Sequence, residues 1–395
     1  MDKKMEFTRG NPQEDAPKRI AKKDLRRWLR LGLVALVLVA VVTTALLWDG
    51  TAFDGLRRSI IYRAAEKDEN GCARLYSYAA EKDSVYASLG GSLVQATSRT
   101  VVVLGEDGQS RYSADVKFTR AAVCAAGELA AVYDIGGSEI YVLNSAGLVR
   151  RLEADGQILA CTINEKGAVA VTVNRSGCKA AVTVYNEKGE KVFGFNSVDR
   201  FLMTSALSEN GKQMAAVTMG QAEGSFVSGV VAYATDRTEP LWHRELSDDM
   251  VYDLAVVDRS WCAVGEAGLH FLSANGEQEV FYDFEGSYLH RCSLTGGDFA
   301  ALLLGRYKTG TQTRLATVDT DGVQLATLAV DKEVLSLSAA GKYVAVLYSD
   351  ELVIYDRHLE VYARLADASA AKLVLMRADG SVVLVGSDTA SLYLP

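Results

Sequence analysis

The sequence predicts an all-β, eight-bladed β-propeller, with a seven-bladed ring as the alternative, preceded by one N-terminal transmembrane helix. Three observations support this fold class. Residues 31–48 form an apolar run without a charge. Beyond Tyr62, short segments rich in Val, Leu, Ala and Tyr alternate with turn dipeptides. A strand–turn–strand pattern recurs among them about every 41 residues, the length of a four-stranded blade.

The first predicted element is a membrane anchor at residues 31–48, from Leu31 through Val39 to Trp48. An α-helix of this length is about 27 Å long, close to the hydrocarbon thickness of a bilayer. Residues 1–30 contain ten Lys and Arg against five Asp and Glu, whereas Asp49 follows the run. The positive-inside rule then predicts a basic cytoplasmic tail at residues 1–30, a single-pass anchor in the cell membrane and an extracellular remainder.

A cleaved signal peptide is the alternative interpretation of this run. Signal peptides have a shorter apolar region that ends in small residues. Here the run ends in Leu46, Leu47 and Trp48, and a tryptophan at this position is typical of the membrane interface. An uncleaved signal-anchor is therefore favoured.

Net charge excludes one class of partner. The whole chain carries a charge of −8, and because the tail is basic, the part outside the membrane is more acidic still. Nucleic acid is not expected to bind there, since neutralising phosphates requires a basic surface. The expected partners are the lipid bilayer, through residues 31–48, and a protein or polymer of the cell envelope.

Residues 49–71 are predicted to be a stalk or linker, with a short helix followed by a polar turn, and disorder is the alternative. Residues 72–395 are predicted to form the propeller. The repeat has eight copies, which begin at Gly91, Gly127, Gly167, Gly211, Ser260, Gly297, Gly341 and Gly380. The last copy ends at Pro395 without its fourth strand. We therefore expect the segment at residues 72–78 to supply that strand and close the ring.

This layout resembles the WD40-like and quinoprotein-like β-propellers of the bacterial cell envelope. More narrowly, it resembles an uncharacterised family, a domain of unknown function, of single-pass membrane-anchored propellers from Gram-positive bacteria. The resemblance covers about residues 20–395, rests on architecture and repeat form, and implies a fold but no activity. The Trp-Asp dipeptide of WD40 repeats occurs only at Trp48-Asp49, outside every blade, and Trp242 and Trp261 are the only tryptophans of the ring.

No motif in the sequence indicates catalysis, a metal site or a cofactor. The six cysteines lack metal-binding spacing, and we expect most to be unpaired core residues, with Cys161 and Cys178 the pair closest together. The fragment at Asp319–Gly322 resembles the start of a calcium loop, but Asp331 is one residue too late for the acidic position, so a β-turn is favoured. A quinone- or metal-dependent oxidoreductase is the least favoured alternative.

Two segments depart from the regular repeat, namely the predicted b–c loops at Gly220–Gly229 and Gly305–Thr313. Insertions in repeat proteins tend to lie on one face, often the binding face. The predicted partner-binding residues are Phe226, Arg306, Tyr307 and Lys308. The predicted function is therefore a non-catalytic binding or scaffolding module. The alternative is an envelope hydrolase or lyase that uses paired carboxylates in the central funnel.

Overall fold

A computed structural model of the chain describes residues 32, 33, 36, 54–63, 65–222, 224–246 and 249–395. These residues belong to two compact units, which divide between residues 61 and 62. The first unit contains helix α1 (Asp54–Ile61), where the sequence predicts a short helix. No helix in the described residues is long and apolar enough to cross a bilayer. The predicted transmembrane helix, with Leu31, Val39 and Trp48, lies outside them except for residues 32, 33 and 36.

The second unit is built from short antiparallel strands because Val-, Ala- and Tyr-rich runs end at Gly, Asn and Asp turns. Its first strand is β1 (Cys72–Ser77). The next sixteen strands form four sheets: β2 (Val85–Leu89), β3 (Ser92–Ala96), β4 (Thr100–Leu104) and β5 (Ser110–Asp115); β6 (Ala121–Ala126), β7 (Leu129–Asp134), β8 (Glu139–Asn144) and β9 (Gly147–Glu153); β10 (Gln157–Ile163), β11 (Val169–Asn174), β12 (Ala180–Tyr185) and β13 (Lys191–Ser197); β14 (Phe201–Leu207), β15 (Gln213–Ala222), β16 (Ser225–Ala234) and β17 (Pro240–Leu246).

The remaining strands form four more sheets, the last of which includes β1. They are β18 (Val251–Val257), β19 (Ser260–Gly265), β20 (Gly268–Leu272) and β21 (Glu279–Asp283); β22 (Tyr288–Ser293), β23 (Phe299–Gly305), β24 (Thr313–Asp319) and β25 (Gln324–Val330); β26 (Val334–Ala340), β27 (Tyr343–Tyr348), β28 (Leu352–Asp356) and β29 (Val361–Leu365); β30 (Leu373–Met376), β31 (Val382–Val385) and β32 (Thr389–Tyr393). Eight four-stranded sheets confirm the eight-bladed propeller and exclude the seven-bladed alternative. We number the blades 1 to 8 in this order and label their strands a to d from the centre outward.

Blade 8 is completed by the first strand of the propeller. Its strand order is β1-β32-β31-β30, so β1 is the outermost strand. The pairing is antiparallel, with Cys72 opposite Tyr393 and Ser77 opposite Thr389. The two ends of the propeller sequence are thus hydrogen-bonded to each other, which closes the ring and leaves no terminal blade exposed.

Each blade buries both of its faces against its two neighbours. The buried apolar residues form eight clusters, and every cluster joins two consecutive blades, including blade 8 with blade 1. Strand β27 illustrates the pattern, because Val344 and Val346 pack toward blade 6 whereas Tyr343 and Ala345 pack toward blade 8. Alternation along a strand therefore supplies the two buried faces.

The cysteines correct one sequence prediction. All six are free thiols, and the thiol that interacts with Cys161 is that of Cys124 rather than Cys178. Cys161 lies on the innermost strand of blade 3, beside the innermost strand of blade 2 that carries Cys124. Its partner in the next strand is Val171, whereas Cys178 lies beyond that strand. The hydrogen bond with Cys124 and burial raise the pKa of Cys161 well above its usual value.

Blade topology gives the ring two different faces. The b–c turns and the connections from each strand d to the next strand a lie on one face, which we call the b–c face. The a–b and c–d turns lie on the other, the a–b face. Along the a–b face carboxylates outnumber basic side chains.

Candidate functional site

The b–c hairpin of blade 4 carries Phe226. The sequence prediction of a long loop at residues 220–229 is wrong in detail, because β15 extends to Ala222 and β16 begins at Ser225. These two strands, of ten residues each, are the longest in the described chain. Phe226 pairs with Gln221 near the hairpin tip and is 69% exposed. The hairpin therefore projects an aromatic ring that contributes nothing to the core.

The second predicted loop, in blade 6, joins β23 to β24 and carries Arg306, Tyr307 and Lys308. The Arg306 guanidinium lies 5.7 Å from the centre of the Tyr307 ring, which is 56% exposed. The Lys308 ammonium lies 5.5 Å from the centre of the Tyr288 ring. Within the described residues neither cation forms an ion pair. Cation–π contacts of this kind orient the charge without neutralising it.

Contacts with strand β22 fix the base of this loop. The His290 Nε2 atom lies 2.7 Å from the carbonyl oxygen of Tyr307, to which it donates a hydrogen bond. Gly305 has to lack a side chain, because a Cβ atom there would collide with the His290 ring. The loop is thereby held over the innermost strand of its own blade.

A cavity of about 570 Å³ lies beneath the loop, where the b–c faces of blades 5, 6 and 7 meet. Its lining includes two tyrosines and charged residues of both signs, namely Tyr252, Tyr288, Glu266, Arg291, Lys308, Lys332 and Glu333. Burial and the charges of nearby acidic groups raise the pKa of Tyr252 to about 12. The volume is within the range of small-ligand sites.

The structure brings only some of the predicted residues together. Arg306, Tyr307 and Lys308 share one loop, and Lys308 lines the cavity. Phe226 lies on the same face but two blades away, with blade 5 between. Sequence reasoning missed Tyr252 and Arg291, which lie on the innermost strands of blades 5 and 6. The repeat register could have placed them on the b–c face, although no motif marks them.

Further exposed apolar side chains surround the hairpin of blade 4. Val198 and Phe201 lie at the entry to blade 4, and Met250 lies at the entry to blade 5. The Lys179 ammonium lies 5.1 Å from the centre of the Phe201 ring. We call Val198, Phe201, Phe226 and Met250 the apolar patch. Apolar side chains concentrated on one face are typical of a protein-binding surface.

A buried polar cluster supports the b–c turn of blade 5 beside this patch. The His270 Nε2 atom lies 3.1 Å from an Asp249 carboxylate oxygen, and its Nδ1 atom lies 3.0 Å from Glu279. Asp249 also accepts hydrogen bonds from the backbone N–H groups of Ala267 and Gly268. Arg244 pairs with Glu279 at 2.8 Å, and the centre of the Phe281 ring lies 4.6 Å from that of the imidazole.

Two opposed pKa shifts follow from this cluster. Burial alone would lower the pKa of His270, but hydrogen bonds and charges from Asp249 and Glu279 outweigh it and raise the pKa above 6.5. Burial alone would raise the pKa of Asp249, but hydrogen bonds from His270 and Ala267 lower it below 3.8. The imidazolium and the carboxylate thus stabilise each other in the folded chain.

We expect the cluster to make folding stability depend on pH. The His270 contribution is complete below pH 6.5 and is lost as the pH rises through its raised folded pKa. The Asp249 contribution is complete above pH 3.8 and is lost as the pH falls through its lowered folded pKa. The unfolding temperatures of the native protein and of His270→Gln should differ most between pH 3.8 and pH 6.5. A constant difference at all pH values would contradict the prediction.

The innermost strands of the blades carry no pair of carboxylates of the kind that a glycoside hydrolase would need. All eight innermost strands lie within the described residues, and among them only β18 carries a carboxylate, Asp253. The described residues also contain no group of three His, Cys, Asp or Glu side chains placed to hold a metal ion. Asp319 accepts hydrogen bonds from the N–H groups of Asp321 and Val323, as in the β-turn that the sequence favours.

Comparison with solved structures supports the propeller fold. The chain is similar to BamB from Moraxella catarrhalis, with 14% identity and a TM-score of 0.54 over 81% of this chain and 99% of that one. It is also similar to the C-terminal WD40 domain of Sif2, with 12% identity and a TM-score of 0.56 over 82% of this chain and 99% of that one. No curated protein matches the sequence. The model of a family of unknown function, DUF5711, matches residues 72–391, so the chain belongs to that family.

Proposed function

We propose that the chain is a non-catalytic, membrane-anchored scaffold that binds a protein of the cell envelope through the b–c face of blades 4 to 6. The observation that carries the proposal is Phe226, an aromatic side chain exposed near the tip of the longest hairpin of the ring. Exposing such a ring to water opposes solubility and adds nothing to the core. A bound partner would bury the Phe226 ring, which accounts for its exposure in the free chain.

The charges and apolar groups of this face suit a partner surface that is apolar and acidic. The apolar patch would contact apolar side chains of the partner, and Arg306 and Lys308 would pair with its carboxylates. Both cations are already positioned by aromatic rings, which lowers the entropy lost on binding. The a–b face is less suitable for such a partner because carboxylates predominate there.

The anchor in this proposal is residues 31–48, with residues 1–30 in the cytoplasm, residues 49–71 as the linker and the propeller outside the cell. The uncharged run and its basic flank support it. The propeller unit begins at Tyr62, whose hydroxyl donates a 2.6 Å hydrogen bond to Asp379 in the a–b turn of blade 8. The Lys67 ammonium donates to the carbonyl oxygen of Leu394. The chain thus enters the ring on the a–b face.

The docking proposal can be tested by site-specific photo-cross-linking in cells. A photoreactive amino acid at position 226 or 307 should give one discrete cross-linked protein, which mass spectrometry identifies. Val361, which is exposed on the outermost strand of blade 7, provides the control position. Purified partner should then bind Phe226→Ala and Tyr307→Ala at least about tenfold more weakly than Val361→Ala. Equal affinity for all three variants would contradict the proposal.

The anchor proposal has a separate test. Protease added to intact cells should digest the propeller, and the basic tail should be protected until the membrane is permeabilised. Survival of the propeller in intact cells would contradict an extracellular location. Release of the protein by an alkaline carbonate wash would contradict a membrane-spanning anchor.

A further inference from the structure

The cavity beneath the blade 6 loop contains charged groups of both signs that form no ion pair with any described residue. The Arg291 Nε atom donates to the carbonyl oxygen of Val334 at 3.2 Å, and its two Nη groups have no partner within the described residues. Lys308 has only its cation–π contact. The carboxylates of Glu266 and Glu333 likewise form no ion pair or hydrogen bond with any described residue. By contrast, Lys332 is neutralised by Glu351 at 2.7 Å.

Such a site has a specific chemical consequence. Cations and carboxylates that line one cavity without pairing offer separate positions for an anion and for a cation. A forked guanidinium favours a carboxylate, and an ammonium group is favoured by a carboxylate or by the face of a tyrosine ring. Tyr252 and Tyr288 supply apolar surface as well. The carboxylates of Glu266 and Glu333 would repel a purely anionic ligand.

We infer that this cavity binds a short zwitterionic peptide, with its carboxylate at Arg291 and Lys308 and its amino group at Glu266 and Glu333. The apolar side chain of the ligand lies against Tyr252 and Tyr288. The volume of about 570 Å³ suits a ligand of this class. The cavity shares Lys308 with the proposed docking face, but Phe226 and Tyr307 are not part of its lining, so the two proposals can be tested separately.

Isothermal titration calorimetry on the full-length protein in detergent can test the inference. The probe is the tripeptide Ala-Phe-Ala with free termini, compared with its N-acetylated form, its C-amidated form and the form capped at both ends. We expect the free tripeptide to bind and each single cap to weaken binding at least about tenfold. No binding of the free tripeptide at millimolar concentration, or equal binding of the doubly capped form, would overturn the inference.

Matched variants assign each end of the ligand. In Arg291→Gln only Lys308 remains for the ligand carboxylate, so C-terminal amidation should weaken binding less than in the native protein, whereas N-acetylation should weaken it as much. In Glu333→Gln only Glu266 remains for the amino group, so N-acetylation should weaken binding less than in the native protein, whereas amidation should weaken it as much. Lys372→Gln, at an exposed lysine on the same face outside the cavity, should behave as the native protein. If both caps weakened binding to Arg291→Gln and to Glu333→Gln by the same factors as in the native protein, the assignment would be overturned. Because none of these substitutions affects Phe226, failure here is distinguishable from failure of the docking proposal.

Discussion

Tyr76→Ala is expected to lower the free energy of unfolding by about 3–5 kcal/mol, a typical loss for a large buried side chain. Tyr76 is 1% exposed on strand β1, and it packs between blades 8 and 1 with Leu93 and Leu104. Its hydroxyl donates a 2.6 Å hydrogen bond to the carbonyl oxygen of Gly91. The side chain therefore joins the two blades at which the ring closes. Urea unfolding followed by far-ultraviolet circular dichroism measures the loss.

Two control variants separate packing from other effects at this position. Tyr76→Phe removes only the hydroxyl and should lose about 1 kcal/mol. Leu75→Ala changes the neighbouring residue, which is 64% exposed, and should leave stability within about 0.5 kcal/mol of the native value. A Tyr76→Ala protein as stable as Leu75→Ala would contradict a structural role for the closure contact.

Trp261→Ala is also expected to lower the free energy of unfolding by about 3–5 kcal/mol, because it leaves a cavity at the interface of blades 4 and 5. Trp261 lies on strand b of blade 5, is 2% exposed and packs with Val217 and Val230 of blade 4. Differential scanning calorimetry measures the shift in the unfolding temperature. Retention of the native unfolding temperature would contradict the packing described for this interface.

Trp261→Phe tests the same site in a second way. Within the described residues the indole N–H has no hydrogen-bond partner, and an unpaired buried donor opposes folding. Phenylalanine removes that donor together with part of the ring, so we expect a much smaller loss than for alanine. If Trp261→Phe lost as much stability as Trp261→Ala, the indole N–H would be hydrogen-bonded in solution.

The blade pattern could be predicted because it depends on local physics. Runs such as Val169–Asn174 and Ala180–Tyr185 combine β-branched residues with glycine-containing turns, so each strand is marked by its own composition. Repetition of this pattern predicts the number of blades. The extent of the blade 4 hairpin was missed because residues 220–229 include three glycines and polar residues, which are typical of a loop. Pairing between β15 and β16 outweighs that local tendency.

The candidate site was predictable only in part because it depends on contacts between blades. Insertion length identified the loop with Lys308, since an irregular repeat is visible in the sequence. Arg291 and Tyr252 lie in strands of ordinary length, and only the closed ring places them in one cavity. The cluster of Asp249, His270 and Glu279 likewise joins three separate elements of blade 5. No sequence spacing predicts such a convergence.

Pairing between β1 and β32 has a consequence for biosynthesis. The first strand of the propeller emerges from the ribosome about 300 residues before its partner, which corresponds to tens of seconds of translation. During that interval β1 has no sheet to join, and blade 8 cannot form. Closure is therefore a late, long-range step, which can occur only after β32 has been synthesised. Chains interrupted before Thr389 would expose unpaired strand edges, which are substrates for quality control rather than functional fragments.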